Sequence, residues 1–226
     1  MISIAIDGHS GSGKGELSRG LAKRFNLKHL DTGAILRAIG LYFFRLNITN
    51  PTVQDVENHY ENLEIKIEFE GDNQITYLAS EDVSSEIRQE HLGQMASKVA
   101  VIEKAMRKLI TISQEFAKKY DCVMDGRNIT SEVLPDADVK FFLDASPECR
   151  ANRRLGDELK KNPNAKFEDI LASLIERDHR DVHRAFSPMI ITRDSIVIDN
   201  TNMTIDETID YCYEKAKDIL TKKGKI

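Results

Sequence analysis

The apolar residues of this chain fall into short runs separated by helical patterns. ISIAI (2–6), KHLDT (28–32), CVMDG (122–126), VKFFLDA (139–145) and SIVIDN (195–200) each have the length of a buried strand. Between them apolar positions recur at helical spacing, as at Ile102, Met106, Leu109 and Phe116. Short strands alternating with helices predict an α/β protein with a parallel sheet covered on both faces. One segment breaks the alternation. Ile65, Ile67 and Phe69 alternate with charged residues, a GDN turn follows, and QITYLA resumes the apolar pattern. This predicts a small antiparallel insert over residues 60–92. LKKNPNAKF (159–167) is expected as an exposed loop and the terminal TKKGKI as a frayed tail.

Composition narrows the function classes without choosing one. The 226 residues suffice for one sizeable domain. A net charge of −5 argues against a broad nucleic-acid surface, so an anion site has to be local. No apolar run approaches the roughly 20 residues of a membrane span, and no signal-type segment opens the chain. Cys122, Cys149 and Cys212 form no metal spacing, and Cys122 sits in an apolar run. A cytoplasmic monomer with neither nucleic-acid nor membrane partners is expected.

The first strand runs straight into IDGHSGSGKGEL (6–17). Gly8 to Lys14 reads G-x-x-x-x-G-K, and a helix is expected from Glu16 to Phe25. Glycines let the chain turn and let phosphate oxygens approach the backbone. The loop amides and the helix N-terminus then form an anion site, and Lys14 reaches the β- and γ-phosphates. No N-K-x-D motif follows, which argues against a GTPase. No strand ends in an Asp-Glu pair, which argues against a transport-type ATPase.

Arginines gather where the strands end. Thr32 and Arg37 follow the second strand, and Arg127 follows the third. Arg150, Arg153 and Arg154 lie on the helix after FFLDA. Arg177, Asp181 and Arg184 share a helix face at i, i+4, i+7. That face reads either as a phosphate grip or as a solvated stripe of ion pairs. Arginine suits bidentate contact with phosphate, and several such groups beside a glycine-rich loop suggest two phosphorylated substrates held together. Asp7, Asp31, Asp125, Asp144 and Asp199 also end apolar runs. Asp125 is a candidate for holding Mg²⁺ through water, with a hydrogen bond to the loop or a cap as its other reading. Asp144 and Asp199 are expected as caps.

The ordered set IDGHSGSGKG, LDTGAILR, EDVSSEIR, ASKVA, DGRN, PDADVKFFLDASPECRANRR and ERDHRDVHRA resembles bacterial cytidylate kinases over residues 2–208. The glycine-rich loop alone is shared by many families; the EDVS-EIR and RDxRDxxR runs are much more specific. The resemblance implies a P-loop nucleoside-monophosphate kinase fold. Its core would be residues 1–36 and 93–226, with a short lid at 147–165. Residues 37–92 would form the monophosphate-binding part. The implied reaction transfers a phosphoryl group from ATP to CMP or dCMP with Mg²⁺. Gly8, His9, Ser10, Gly11, Ser12, Gly13, Lys14, Gly15 and Glu16 would surround ATP. Thr32, Arg37, Arg127 and Arg184 would hold the acceptor phosphate, Arg177 and Asp181 the sugar, and Ser97 and Asn128 the base. Lys14, Arg127, Arg150, Arg154 and Arg184 would be catalytic, with Arg150 and Arg154 closing from the lid.

Four positions depart from the family pattern. Glu16 replaces Thr or Ser, Leu36 a common Tyr, Met106 an Arg beside the cytosine, and Asn128 an Asp. An amide both accepts and donates, so Asn128 is expected to relax base choice towards UMP, with Arg107 or Lys104 as other candidate base readers. A related kinase with relaxed pyrimidine choice and a nucleotide-binding regulator without turnover remain the alternatives.

Overall fold

The computed structural model describes residues 1–160 and 162–226. Its centre is a sheet of five parallel strands among the described residues: β1 (Ser3–Gly8), β2 (Lys28–Asp31), β6 (Cys122–Gly126), β7 (Val139–Asp144) and β8 (Ile196–Asp199). They lie in the order β2-β6-β1-β7-β8. The chain leaves β1 for the far edge and later returns to its other side. That reversal opens a crevice beyond the carboxyl end of β1, where open α/β sheets bind ligands.

Alternation along β1 sends its side chains to two cores. Ile4 and Ile6 pack with Leu17 and Leu21 of α1 (Lys14–Phe25) and with Ala216 and Leu220 of α8 (Ile205–Lys222). Ala5 packs on the opposite face with Met106, Leu109 and Phe116 of α5 (Glu103–Ala117). A third core joins α2 (Thr32–Arg45), α3 (Val53–His59) and α4 (Glu90–Val99) around Phe43 and Leu63, both fully buried. Burial of each such side chain stabilises by about 1.5–3 kcal/mol.

The antiparallel insert is present as β3 (Ile65–Glu70), β4 (Asn73–Leu78) and a two-residue β5 (Glu81–Asp82). Pairing of Glu70 with Asn73 leaves a two-residue turn, Gly71–Asp72, one residue shorter than expected. The insert is tied to the main sheet at Asp31. Gln74 Oε1 accepts from the Asp31 amide (2.8 Å), and Arg88 donates to Asp31 Oδ2 (2.7 Å). Thr32, expected at the end of a strand, instead opens α2.

Two helices frame the crevice on the other side, α6 (Pro147–Leu159) and α7 (Phe167–His183). The loop expected at 159–167 and the lid expected at 147–165 both include Lys161, which lies outside the described residues. Of the expected frayed tail only Thr221 and Lys222 are helical, and residues 223–226 are exposed and lie beyond the helix. α8 runs to Lys222, and beyond it Lys225 Nζ donates to Met1 O (2.5 Å) and lies 3.3 Å from Asp138.

Asp31 makes this tie sensitive to acid. Burial opposes its charge, but Arg37, Arg88 and His29 together outweigh burial and hold its carboxyl at about 2, against an ordinary 3.8. A lowered folded-state pKa adds stability above about pH 4 that is lost as pH falls towards 2. Arg88→Met removes one counter-charge. Its stability should fall by less than about 1 kcal/mol at pH 7, since Arg88 is half exposed. Its acid limb should flatten between pH 4 and 2. Urea unfolding at stepped pH reads both.

Candidate active site

The turn after β1 is built for close approach. Gly8 has φ 150°, and a Cβ there would lie 2.0 Å from Leu143 O on the neighbouring strand. Gly13, at φ 93°, is the N-cap of α1 and supplies no side chain to cap it. The first helical bond runs from Leu17 N to Gly13 O. The amides of Lys14, Gly15 and Glu16 are therefore without intrahelical acceptors. Lys14 is 6% exposed. Its ammonium folds back on the loop, donating to His9 O (2.6 Å) and Ser12 Oγ (3.4 Å). Burial first, and then the neighbouring charge of Arg127, push its pKa well below the ordinary lysine range.

Asp7 holds the adjoining turn. It is fully buried, and accepts from Ile129 N (2.9 Å), Thr130 N (2.8 Å) and Thr130 Oγ1 (2.7 Å). Burial raises its pKa more than these bonds lower it. They fix a π-helical turn, Ile129–Val133, so that Arg127 and Asn128 leave β6 towards the crevice.

The crevice holds a cavity of about 760 Å³ lined by the loop from Ser10 to Glu16 and by Arg37, Asp125, Arg127, Arg154 and Arg177. A narrower pocket opens from it, sharing Gly33, Arg37, Gly126, Arg127 and Arg177. This inner pocket reaches Thr32, Ser97, Met106, Asn128, Asp181 and Arg184. Residues from five separate stretches of sequence thus meet at one place. Arg127 Nε donates to Asp181 Oδ2 (2.8 Å), and Thr32 Oγ1 to Asp125 O (2.8 Å). Burial, reinforced by Arg127, lowers the Arg177 pKa to about 10. Ser97 Oγ, Arg177 Nε and Arg184 Nη2 are buried without a hydrogen-bond partner. Unsatisfied buried donors and crowded cations mark a place for an anionic, hydrogen-bonding ligand.

Arg150 requires a correction. It was expected to close on the phosphates from the lid, yet it is 2% exposed and braces the outside of the glycine loop. It donates to Ala145 O (2.9 Å), Ser10 O (3.0 Å) and Asp178 Oδ2 (2.6 Å). Those buried carbonyls need a donor and Asp178 needs a counter-charge, and Arg150 is the group that reaches all three. Arg154, one turn further along α6, lines the large cavity, as does Arg153, which donates to Ser12 O (3.3 Å) and Asn200 O (2.7 Å). His9 is also redirected. Its ring turns behind the loop, with Nδ1 3.0 Å from Asp144 Oδ1, and only its carbonyl serves Lys14.

The remaining expectations find definite places. Asp125 lines the large cavity and lies 2.7 Å from His29 Nε2. Glu16 pairs with Arg19 (3.2 Å) along the large cavity, both more than half exposed. Asp144 and Asp199 accept local turn amides from Ala145 and Thr201. Leu36, Met106 and Asn128 all line the inner pocket. Arg107 and Lys104 do not: Arg107 pairs with Glu103 over the Phe186 ring, and Lys104 sits over Tyr60.

A model of the cytidylate kinase family matches residues 4–218. The cytidylate kinase of Caldicellulosiruptor saccharolyticus is 40% identical over 208 residues, 92% of each chain. This chain belongs to the cytidylate kinase family. The cytidylate kinase of Fusobacterium nucleatum is 36% identical over 96% of this chain and 98% of its own. A solved structure of an uncharacterized protein from Eubacterium ventriosum superposes with a TM-score of 0.52 at 14% identity, covering 96% of this chain and 99% of its own, a likeness of fold alone.

Several contributors were not marked by sequence. Asp178, His29, Asn200 and Ser187 hold Arg150, Asp125, Arg153 and Asn128 in place. Asp178 stands in the ERDHRD run, but its partner lies on another helix and no local spacing points to it.

The two α6 arginines should separate on mutation. Arg150→Met leaves the Asp178 carboxylate, 13% exposed, without its charge partner and should cost about 1–3 kcal/mol in urea unfolding. Arg154→Met should change stability by less than about 1 kcal/mol while lowering kcat with ATP and CMP.

Proposed function

We propose that this member of the family transfers the γ-phosphoryl group of ATP to CMP or dCMP. The observation that carries this reading is the pair of joined cavities. One is floored by the uncapped N-terminus of α1 and Lys14. The other contains three unpartnered buried polar groups on Ser97, Arg177 and Arg184. The curated relatives bear the name cytidylate kinase. ATP lies along the glycine loop, and its base is directed towards Arg153, Asn200 and Ile205. The monophosphate enters the inner pocket base first. Its phosphate then rests at Arg37 and Arg127, where the two cavities meet, with Arg184 reaching it from the inner pocket.

Phosphoryl transfer asks little covalent chemistry of a protein. It asks for in-line alignment and for cations around charge that spreads over the transferring oxygens. Lys14 leaves His9 O to meet the β- and γ-phosphates. Arg127 and Arg184 orient the attacking phosphate oxygen, and Arg154 screens its charge from the donor. Arg177 and Asp181 hold the sugar, and the 37–92 part and the 147–165 lid exclude water from the transfer.

Among the described residues no group of three His, Cys, Asp or Glu side chains forms a metal cage. Mg²⁺ commonly binds substrate phosphates with one or two carboxylates and several waters, and Asp125, in the large cavity beside His29, fits that limited role. When bound, Mg²⁺ would neutralise charge on the ATP phosphates.

A coupled ADP-release assay with CMP, dCMP, UMP, dUMP and AMP tests this function. CMP and dCMP should turn over fastest, and no turnover with any acceptor would refute the reading. Lys14→Ala should keep its fold by circular dichroism but lose about 10²-fold or more in kcat.

Glu16 gives a separate prediction. Its carboxylate suits an empty helix N-terminus and opposes a bound triphosphate. Glu16→Thr should lower the Kd for ATP by about two- to five-fold, read by calorimetry. A raised Kd would assign the acid a productive contact.

A further inference from the structure

The run ERDHRDVHR contains two histidines that the site described above does not use. His179 and His183 stand four residues apart on α7, the H-x-x-x-H spacing that puts two imidazoles on one face of a helix. Each is two residues on from a residue of the inner pocket, Arg177 or Asp181. Two residues turn a helix by about 200°, so the histidines lie on the back of α7, where both are exposed.

The two rings already stand side by side. Their centroids are 4.0 Å apart and their planes 20° from parallel. His183 Nδ1 lies 2.8 Å from His179 O. A carbonyl only accepts, so Nδ1 carries the proton and donates, and in the neutral ring Nε2 holds the free lone pair. A carbonyl that fixes the tautomer in this way is the usual support of a metal-bound histidine. Among the described residues no hydrogen bond or ion pair reaches the His179 ring. Zinc binds imidazole nitrogen at about 2.0–2.1 Å, which sets two tetrahedral ligands roughly 3.4 Å apart. Rings stacked at 4.0 Å reach that spacing by small side-chain rotations.

The surroundings favour a cation. His183 is the last residue of α7, where unpaired carbonyls and the helix dipole attract positive charge. Arg180, which lies between the histidines in sequence, is ion-paired with Glu176, so its charge is offset.

We propose that His179 and His183 form a bidentate site for a late first-row divalent ion such as Zn²⁺, completed by water, and that the bound ion clips the last turn of α7. Imidazole donors select zinc, copper or nickel, whereas Mg²⁺ takes oxygen ligands. The site is thus distinct from the metal of phosphoryl transfer and does not depend on the function proposed above. Arg180 stands where a hydrolytic H-E-x-x-H site has its glutamate, so the pair supplies ligands without a general base. The clipped turn is the one from which Asp181 and Arg184 reach the inner pocket.

Calorimetric titration of Zn²⁺ into the nucleotide-free protein, with Mg²⁺ in excess to fill oxygen sites, tests the site. One zinc per chain is expected. His179→Ala and His183→Ala should each weaken it by about ten-fold or more, because a chelate needs both rings. Unchanged affinity in either variant overturns the proposal. A second readout uses the native protein alone. With one equivalent of Cu²⁺, electron paramagnetic resonance should show hyperfine coupling to two imidazole nitrogens, and a single-nitrogen or all-oxygen spectrum overturns the chelate. The clip is read by hydrogen exchange. Zinc should slow exchange of the amides of residues 180–184 in the native protein and not in His179→Ala. Unchanged exchange in the zinc-loaded native protein overturns the clip.

Discussion

Burying positive charge with no anion beside it is costly, and this fold collects such charge at the carboxyl end of β1. Lys14 is folded onto its own loop, and Arg177 is crowded by Arg127. The sheet order makes the gathering possible. With β1 at the centre, loops from β6 and β7 arrive on either side of the glycine turn, and α2 opens beside it from the sheet edge. The strain of the empty state and the affinity for a polyanion are two views of the same crowding, since a bound phosphate relieves what the cations impose on one another.

Counter-charges are placed so that the crowd is held without being neutralised. Asp7 secures the turn behind Arg127 and Asn128, and Asp178 secures Arg150 behind the loop. Both lie at the back of the site. In front, Asp181 engages Arg127, and Asp31 bridges Arg37 and Arg88. These carboxylates preorganise the arginines, which matters more for phosphoryl transfer than any covalent step. The tie at Asp31 also joins the insert to the main sheet.

The fold was legible in this chain because its signals are local. The five apolar runs are strands, and the period-two stretch around Ile67 is the hairpin. The glycine loop was legible because strand, turn and helix are contiguous. What escaped was set by contacts across the fold. Arg150 and Arg154 share a helix face in sequence, yet one is sealed behind the loop by Asp178 and two carbonyls while the other lines the cavity. His9 sits inside a phosphate-loop pattern, but its ring is drawn backwards by Asp144. Ser187 carries no motif at all, and its importance arises from what Arg184 and Asn128 require at one point in space.

The two departures from the expected pattern, Met106 and Asn128, meet in the narrow pocket. The sequence resemblance leads to the expectation of an arginine at 106 and an aspartate at 128, and this chain has methionine and asparagine. Together they remove one positive and one negative charge. The amide and the thioether are in contact, Nδ2 to Sδ 3.6 Å apart, so the replacement is a matched neutral pair rather than two independent losses. The cations that line the two cavities, among them Lys14, Arg37, Arg127, Arg154, Arg177 and Arg184, lie outside this neutral contact. The chain thereby gathers its charge around the glycine loop and leaves a neutral amide and thioether in contact in the narrow pocket.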